Sequence, residues 1–471
     1  MANQNEMMEK LVSLCKRRGF VYQGSEIYGG LAGTWDYGPY GVALRNAIKN
    51  LWWKKFVTDR EDMYGVDAAI LMNPKVWKAS GHVDGFSDPL VEDMKTKRRF
   101  RADHLLETVG VDVKGLTIAQ MDALIKEKKI KSPDGNVLGD VRQFNMMFKT
   151  HIGAHQDEDS VSYLRPETAG GMFVNFKNVR DSFNPKLPFG LAQIGKAFRN
   201  EIAPRDFIFR QRELEQMEIE YFVDPRDPAK VDAMFNAWHD EQVAFLKELG
   251  LSAAKIHKIE IPDADRAHYS KRSVDTEFDF PFGQKELLGL AYRTDFDLSA
   301  HTNASGVDLS YFDEETKQRF IPHCIEPTFG VDRLLLAVLS DAYTEDDLGA
   351  EGEAGAEGKA DKRVYMKFAP KIAPIKVAVF PLLKNKPQLI EKAREVYKML
   401  KTEFGNVMFD DNGNIGKRYR RQDEIGTPFC VTIDFDTVEK GTGVTVRFRD
   451  DGKQERIEEK DLIQHLKTKL V

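Results

Sequence analysis

Apolar residues recur every three to four positions in "NEMMEKLVSLCKRR" (5–18) and "GVALRNAIKNLWWKKFV" (41–57), which predicts two amphipathic helices early in the chain. The pattern then shifts to period two. "QIGKAFRNE" (193–201) and "LEQMEIEYF" (214–222) alternate apolar and polar positions, as half-buried strands do. Helices followed by such strands read as α+β with an antiparallel sheet. Two charged, helix-prone stretches are expected as insertions at about 91–149, with "TIAQMDALIKEKKI", and about 225–270, with "PAKVDAMFNAWHDEQVAFLKEL".

Periodicity lapses in "DAYTEDDLGAEGEAGAEGKADK" (341–362). This acidic, Gly- and Ala-rich run reads as a linker or flexible excursion, or as a helix extended from "DRLLLAVLSDAY". Beyond it, "KVAVFPL", "NVMFDD", "FCVTIDF" and "GVTVRFR" alternate with the helical patterns "PQLIEKAREVYKMLKTEF" and "NIGKRYRRQDEIG", predicting a smaller α/β domain. The expected organisation is therefore residues 1–340, a connection at 341–363 and a second domain at 364–471.

Composition narrows the class. No run approaches the ~20 apolar residues that cross a bilayer, and the first twenty residues are too polar for a signal peptide, so a cytosolic location is expected. Cys15, Cys324 and Cys430 stand far apart with no CxxC pair; no disulfide framework and no zinc are expected. The net charge of −6 argues against a uniformly basic nucleic-acid clamp. It is unevenly spread, because Val364–Val471 has 21 Lys plus Arg against 16 Asp plus Glu.

The densest opposed charge falls on "FRNEIAPRDFIFRQRELEQMEIEYF", Phe198 to Phe222. Alternation puts Ala197, Arg199 and Glu201 on one face of the first strand and Leu214, Gln216, Glu218 and Glu220 on one face of the second. Met217, Ile219 and Tyr221 are left for a core. Arg199 and Glu201 are expected to meet Gln216 and Glu218 across the ladder. Such a hairpin is either a surface decorated with ion pairs each worth under ~1 kcal/mol, or a polyanion site with guanidinium forks for phosphates and carboxylates for an ammonium group.

"FRNE", a loop with Pro204, and "FRQRELEQME" together resemble motif 2 of the class II aminoacyl-tRNA synthetases, in the form found in glycyl-tRNA synthetases. "GTWDYGPYGVALRNAIKNLWW" resembles the dimer-forming motif 1 around Pro39, and "RPETAGGMF" an amino-acid-pocket segment. "ELLGLAYRTDFDLSAHTNASGVDL" resembles the metal and ATP strand region, and "IEPTFGVDRLLLAVL" motif 3 with Arg333. The stretch from "APIKVAVFPL" onward is similar to the family's anticodon-binding domain. The likeness runs in order over nearly the full length, apart from the acidic segment and parts of the insertions.

That resemblance implies a class II antiparallel catalytic domain with helical insertions, followed by an anticodon-binding domain. It implies activation of glycine with ATP and Mg²⁺ and transfer to tRNA(Gly) by a homodimer. It assigns ATP to Arg199, Asn200, Glu201, Phe209, Arg210, Gln211, Arg212, Glu213, Leu214, Glu286, Leu287, Gly330, Val331, Asp332 and Arg333. Arg199 and Arg333 are catalytic by this assignment, and Glu286 also holds magnesium. Glycine falls to Arg101, Glu167, Leu214, Glu215, Gln216, Met217, Glu218, Glu326, Pro327, Thr328, Phe329 and Gly330. In this assignment, Glu167, Glu218 and Glu326 bind the ammonium and fill the space of a Cβ.

Two positions depart from the family pattern. Leu214 stands where the family has a Phe against adenine, and Thr328 where it commonly has Ser. In the second domain, Lys417, Arg418, Arg420 and Arg421 share one predicted helix with Tyr419, either a solvated helix or contacts for the tRNA anticodon arm. "HIGA" (151–154) lacks the final His and companions of the class I signature, and "GLAGTWDYGPYG" lacks the GK[ST] of a phosphate loop. The rival to an active ligase is a catalytically silent, nucleic-acid-binding relative; Arg199, Glu201, Glu286 and Arg333 are all present, which favours the enzyme.

Overall fold

The computed structural model describes residues 2–113, 115–154, 156–157, 160–267, 269–347 and 362–470. Its centre is a seven-stranded sheet of β1 (Met63–Gly65), β2 (Phe189–Phe198), β3 (Glu213–Val223), β4 (Ile256–Glu260), β5 (Arg272–Phe280), β6 (Gly283–Thr294) and β7 (His323–Gly330). The spatial order is β4-β5-β6-β7-β3-β2-β1. Every neighbouring pair is antiparallel except the edge pair β1 and β2.

Period-two alternation decides which face each residue meets. Met217, Ile219, Tyr221 and Val223 of β3 enter the main core, with Ile325 and Phe329 of β7. Three helices complete that core: α1 (Ala2–Arg18), α2 (Pro39–Trp53) and α5 (Val331–Ala342). Helix α3 (Ala169–Phe183) covers the opposite face, where Phe176, Phe189 and Phe222 pack together.

Helix α4 (Pro228–Glu248) corrects the second expected insertion. Val231, Phe235, Trp238, Phe245 and Leu246 enter the main core, and residues 256–260 form strand β4. This region thus belongs to the main sheet and its helical cover; its charged outer face had disguised an apolar stripe. The first expected insertion is a module with its own core of Val91, Ala102, Leu106, Met121 and Ile125. A three-stranded sheet and two short helices build it, and Thr117 and Gln120 form a reciprocal cap on the second helix.

The expected linker also changes. Helix α5 stops at Ala342, and Tyr343–Asp346 pairs antiparallel with Arg363–Met366, so the two flanks meet in a ribbon. Residues 348–361 lie outside the described residues. The following Met366, Phe368, Ile372 and Ala373 pack on the main core. A separate core then begins at Val377.

That second unit has five strands, β8 (Val377–Pro381), β9 (Val407–Phe409), β10 (Phe429–Ile433), β11 (Val444–Phe448) and β12 (Gln454–Ile457), ordered β9-β8-β10-β11-β12. Helices α6 (Pro387–Phe404) and α7 (Ile415–Ile425) follow the predicted runs. The polar strand β12 and the terminal helix Glu459–Lys469 were not anticipated. Arg363 joins the ribbon to this unit, donating to Asp346, to Asp423 of α7 at 3.4 Å and to the Arg449 carbonyl at 2.7 Å. Among the described residues, no helix is long and apolar enough to cross a membrane.

Phe329 was expected at the glycine site but lies fully buried among Trp52, Phe56 and Phe245, with ring centroids 5.3–5.8 Å away. Phe329→Ala should therefore lower the unfolding free energy of the catalytic domain by about 3–5 kcal/mol. Urea titration followed by Trp fluorescence measures the loss.

Candidate active site

The β2–β3 hairpin does not place its charges as strand alternation suggested. β2 ends at Phe198, and Gln216 and Glu218 face Gly195 and Gln193 across the ladder. Arg199 and Glu201 lie instead at the start of the connecting loop. The loop is fastened from outside: the Arg212 backbone N–H donates to the Gly33 carbonyl at 2.8 Å, and its guanidinium to the carbonyls of Ala32 and Glu201. Gly33 has φ +74°, and a Cβ there would meet Pro204 at 2.6 Å, so this close crossing favours glycine doubly.

The cleft has two lobes. Arg199, Glu201, Phe209, Arg210, Gln211, Leu214, Glu215, Gln216, Glu286, Leu287, Gly330, Asp332 and Arg333 line the first. Glu167, Gln216, Glu218, Asp275, Glu326 and Thr328 line the second. Arg199, Gln216, Glu286, Gly289 and Thr328 border both, so the lobes meet at Arg199.

The first lobe holds its cations in defined poses. Arg333 lies over the Phe209 ring at 4.4 Å and reaches the Glu286 carboxylate at 3.1 Å. That guanidinium depresses the Glu286 pKa. Arg199 donates through Nε to the Pro166 carbonyl at 3.1 Å, leaving the rest of its fork for the cleft. Arg210 stands 3.8 Å from Glu201. Leu214 lines this lobe, and Phe209, packed on Phe280 and Phe282, supplies an aromatic ring nearby.

The second lobe is a cluster of buried acids around one buried cation. Arg293 donates twice to Asp297, at 2.7 and 2.8 Å, and once to Glu326 at 2.9 Å. Burial pushes Glu326 up to about 8 despite Arg293. Glu218 is raised by burial and by Glu167, although the Thr168 and Thr328 hydroxyls both donate to it. Glu220 is raised well above the ordinary range, first by burial and then by Glu326, and accepts from the Cys324 thiol at 2.9 Å. Glu167 runs the other way: burial opposes ionisation, but His82, Arg293 and Arg199 outweigh it and leave Glu167 at about 2.

Several expected site residues lie elsewhere. Arg101 is held between Asp88 and Asp103 and lines neither lobe. Asn200 shows only its backbone N–H, bonded to the Met146 carbonyl. The Arg212 side chain holds the loop, and Glu213 pairs with Lys196 at 2.9 Å on the outer side. Val331 and Met217 are core residues, and Pro327 is buried opposite Leu290. Glu215 borders the first lobe and not the second, its carboxylate bound by Arg45 and Lys49 of α2.

In the second domain, Lys417 and Arg420 are exposed, but Arg418 is buried and donates to the carbonyls of Pro381, Asp411 and Gly413. Arg421 is tied to Asp410 and Asn412. Those two arginines close the turn before α7, which corrects their reading as RNA ligands.

The sequence reading gave no role to Asp275, which lines the second lobe, to Arg293, Thr168 and His82, which hold its carboxylates, or to Asp297, which clamps Arg293, and left Glu220 only on the polar face of its strand. A signal existed for two of them: Arg293 and Asp297 stand four apart where β6 runs into the helix Phe296–Ser305.

An antiparallel sheet bearing an arginine-lined cleft, joined to a small mixed domain, defines a class II tRNA synthetase. Residues 148–342 match the model of the tRNA synthetase class II core domain (G, H, P, S and T), and residues 376–469 that of the anticodon binding domain. Along its whole length the chain is 48% identical to a glycine–tRNA ligase of Thermobifida fusca, aligned over 99% of that protein. It is 49% identical to that of Caldanaerobacter subterraneus and 50% to that of Clostridium kluyveri, each over 98% of both chains. The chain belongs to the glycine–tRNA ligase family, and so to the aminoacyl-tRNA ligases.

Asp275, in the second lobe, is pushed up to about 7 by burial, with Glu286 and Glu277 adding to the shift. The folded protein thus keeps a proton that the unfolded chain has released, so this group's stabilising effect declines as pH rises from the ordinary carboxylate range through 7. Asp275→Asn should flatten that part of the stability profile. Urea unfolding at pH 5 and pH 8 is expected to show a smaller drop for the variant than for the parent.

Proposed function

We propose that ATP occupies the first lobe and glycine the second, and that the chain joins them at Arg199 into glycyl-adenylate before passing glycine to the 3′ end of tRNA(Gly). The observation that carries this reading is the shared border: the guanidinium of Arg199 faces both lobes, where an α-phosphate and a substrate carboxylate have to meet. Joining them needs no enzyme nucleophile. It needs the carboxylate held against phosphorus and the developing charge neutralised. Arg199 serves the junction, Arg210 the outer phosphates, and Arg333 the nucleotide from its place over Phe209. Glu201 accepts from the adenine amino group.

In the second lobe, Glu167, Glu218 and Glu326 receive the ammonium by charge-assisted hydrogen bonds. Larger amino acids are excluded by volume, since a methyl group forced into a filled pocket costs about 1–3 kcal/mol. The roles of Thr168 and Thr328 are to aim Glu218.

Glu286 and Asp275 would hold magnesium, because both carboxylates line the second lobe and a cation there would offset the burial and the Glu286 charge that raise Asp275. Among the described residues, no group of three or more candidate ligands could hold a metal, so the remaining ligands are phosphate oxygens and water. When bound, the ion neutralises phosphate charge.

Motif 1 supports a homodimer built on α2. Lys417 and Arg420 are the α7 cations exposed for contact with a tRNA, and a cytoplasmic location suits that reaction. The silent-relative reading has no observation in its favour.

Purified protein should catalyse ATP–pyrophosphate exchange with glycine and not with alanine or serine. Arg199→Ala and Arg333→Ala should each lower the rate by about 10²–10³, the scale for losing one preorganised donor. Exchange with alanine equal to that with glycine would overturn the assignment. A second measurement addresses Leu214: Leu214→Phe should lower the KM for ATP by widening aromatic contact with the base, and an unchanged or higher KM would show that Phe209 and Arg333 already suffice.

A further inference from the structure

One histidine touches the amino-acid lobe without a role in the scheme above. His82 opens a single helical turn, His82–Gly85, after the helix Pro74–Ala79. Its Nε2 lies 3.3 Å from the Glu167 carboxylate, and its Nδ1 is 2.8 Å from the Ser80 hydroxyl. Neither side chain is open to water: 13% of His82 and 17% of Glu167 is exposed.

The ring is held on both sides. Trp77 meets it edge-on at 5.5 Å, and Phe86 lies 5.5 Å away on the other side. Trp77 is fully buried and packs against Gly170 of α3, where a Cβ would come within 2.8 Å of the indole. The imidazole is therefore fixed in position by elements that do not themselves touch substrate.

The same segment reaches the junction of the lobes. The Arg199 guanidinium lies over the Phe86 ring at 5.6 Å, and the Phe86 carbonyl accepts from the Met146 backbone N–H, whose own carbonyl accepts from Asn200. The Val83 carbonyl accepts from the Asn145 side chain at 2.7 Å. Residues 82–86 thus stand between the inserted module and the two side chains that meet substrate, Glu167 and Arg199.

We propose that His82 is a positioning residue for glycine: its Nε2–H, with Ser80 setting the tautomer, orients Glu167 toward the substrate ammonium. The inference rests on the glycine-site reading above. Among the described residues, Glu167 pairs with the His82 ring at 3.3 Å, whereas Glu218 is held by two hydroxyls and Glu326 by Arg293. Without His82, Glu167 is free to turn toward Arg199 or Arg293, both of which pull on its charge. Either turn would cost glycine one of its carboxylates while leaving the nucleotide lobe intact.

The test is ATP–pyrophosphate exchange with the full-length protein, varying glycine and ATP separately. His82→Ala should raise the KM for glycine at least tenfold and leave the KM for ATP within twofold, with an unchanged thermal unfolding midpoint. His82→Gln, whose amide places an N–H near the position of Nε2, should recover most of the loss. An unchanged glycine KM in His82→Ala would overturn the proposal. So would equal rises in both KM values, or no recovery with Gln, since either result makes the histidine a packing residue. If the parent itself shows no glycine-dependent exchange, the failure belongs to the proposed function instead.

Discussion

The second lobe of the cleft depends on one buried cation. Arg293 is 2% exposed, clamped by two hydrogen bonds to Asp297, and gives its remaining reach to Glu326. Tyr269 covers its face at 4.0 Å. Around it stand Glu167, Glu218, Glu220 and Glu326, more carboxylates than one guanidinium can neutralise. Burying unpaired charge is costly, and burial together with the neighbouring carboxylates raises Glu218, Glu220 and Glu326 above the ordinary carboxylate range. A cation entering this cluster would offset that cost, which is the electrostatic basis of the proposed ammonium site.

A second constraint joins the first lobe to the helix α2. Asp332 accepts from Tyr37, from Arg45 at 3.1 Å and from the Glu215 backbone N–H at 2.8 Å, while Arg45 also bonds Glu215. Asp332 adjoins Arg333, and Glu215 lies between Leu214 and Gln216. The clamp therefore fixes the start of β3 and the first turn of α5, both of which border the cleft. Arg45 lies over the Tyr37 ring at 3.9 Å, so the cation is held by stacking as well as by charge. If α2 also carries the dimer contact, the geometry of the ATP lobe and the association of two copies share one element.

Much of this was legible in the chain. The hairpin, the helix that follows motif 3 and the alternation of the second domain all appear as periodic patterns, because each element buries one face. Alternation also separated Met217 and Ile219 from Gln216 and Glu218 correctly. It failed at Arg199 and Glu201 because a strand's end is set by its partner, and β2 stops at Phe198. The 225–270 stretch misled for a different reason. Its charged outer face is real, but the stripe of Phe235, Trp238 and Phe245 that decides its place has meaning only against the sheet it covers.

The arginines of α7 show the same limit from the electrostatic side. Four cations in five residues look like one RNA-binding face, yet helical geometry distributes them around the axis. Arg418 points inward, where it donates to three backbone carbonyls, those of Asp411 and Gly413 in the turn and of Pro381 at the end of β8. A guanidinium carries enough donors to satisfy all three at once, and an unsatisfied buried carbonyl would cost about 1–3 kcal/mol. That demand outweighs availability for a ligand, so Arg418 is consumed by the fold. Charge density in a sequence marks where cations are; the carbonyls left over by the turns determine which of them are spent.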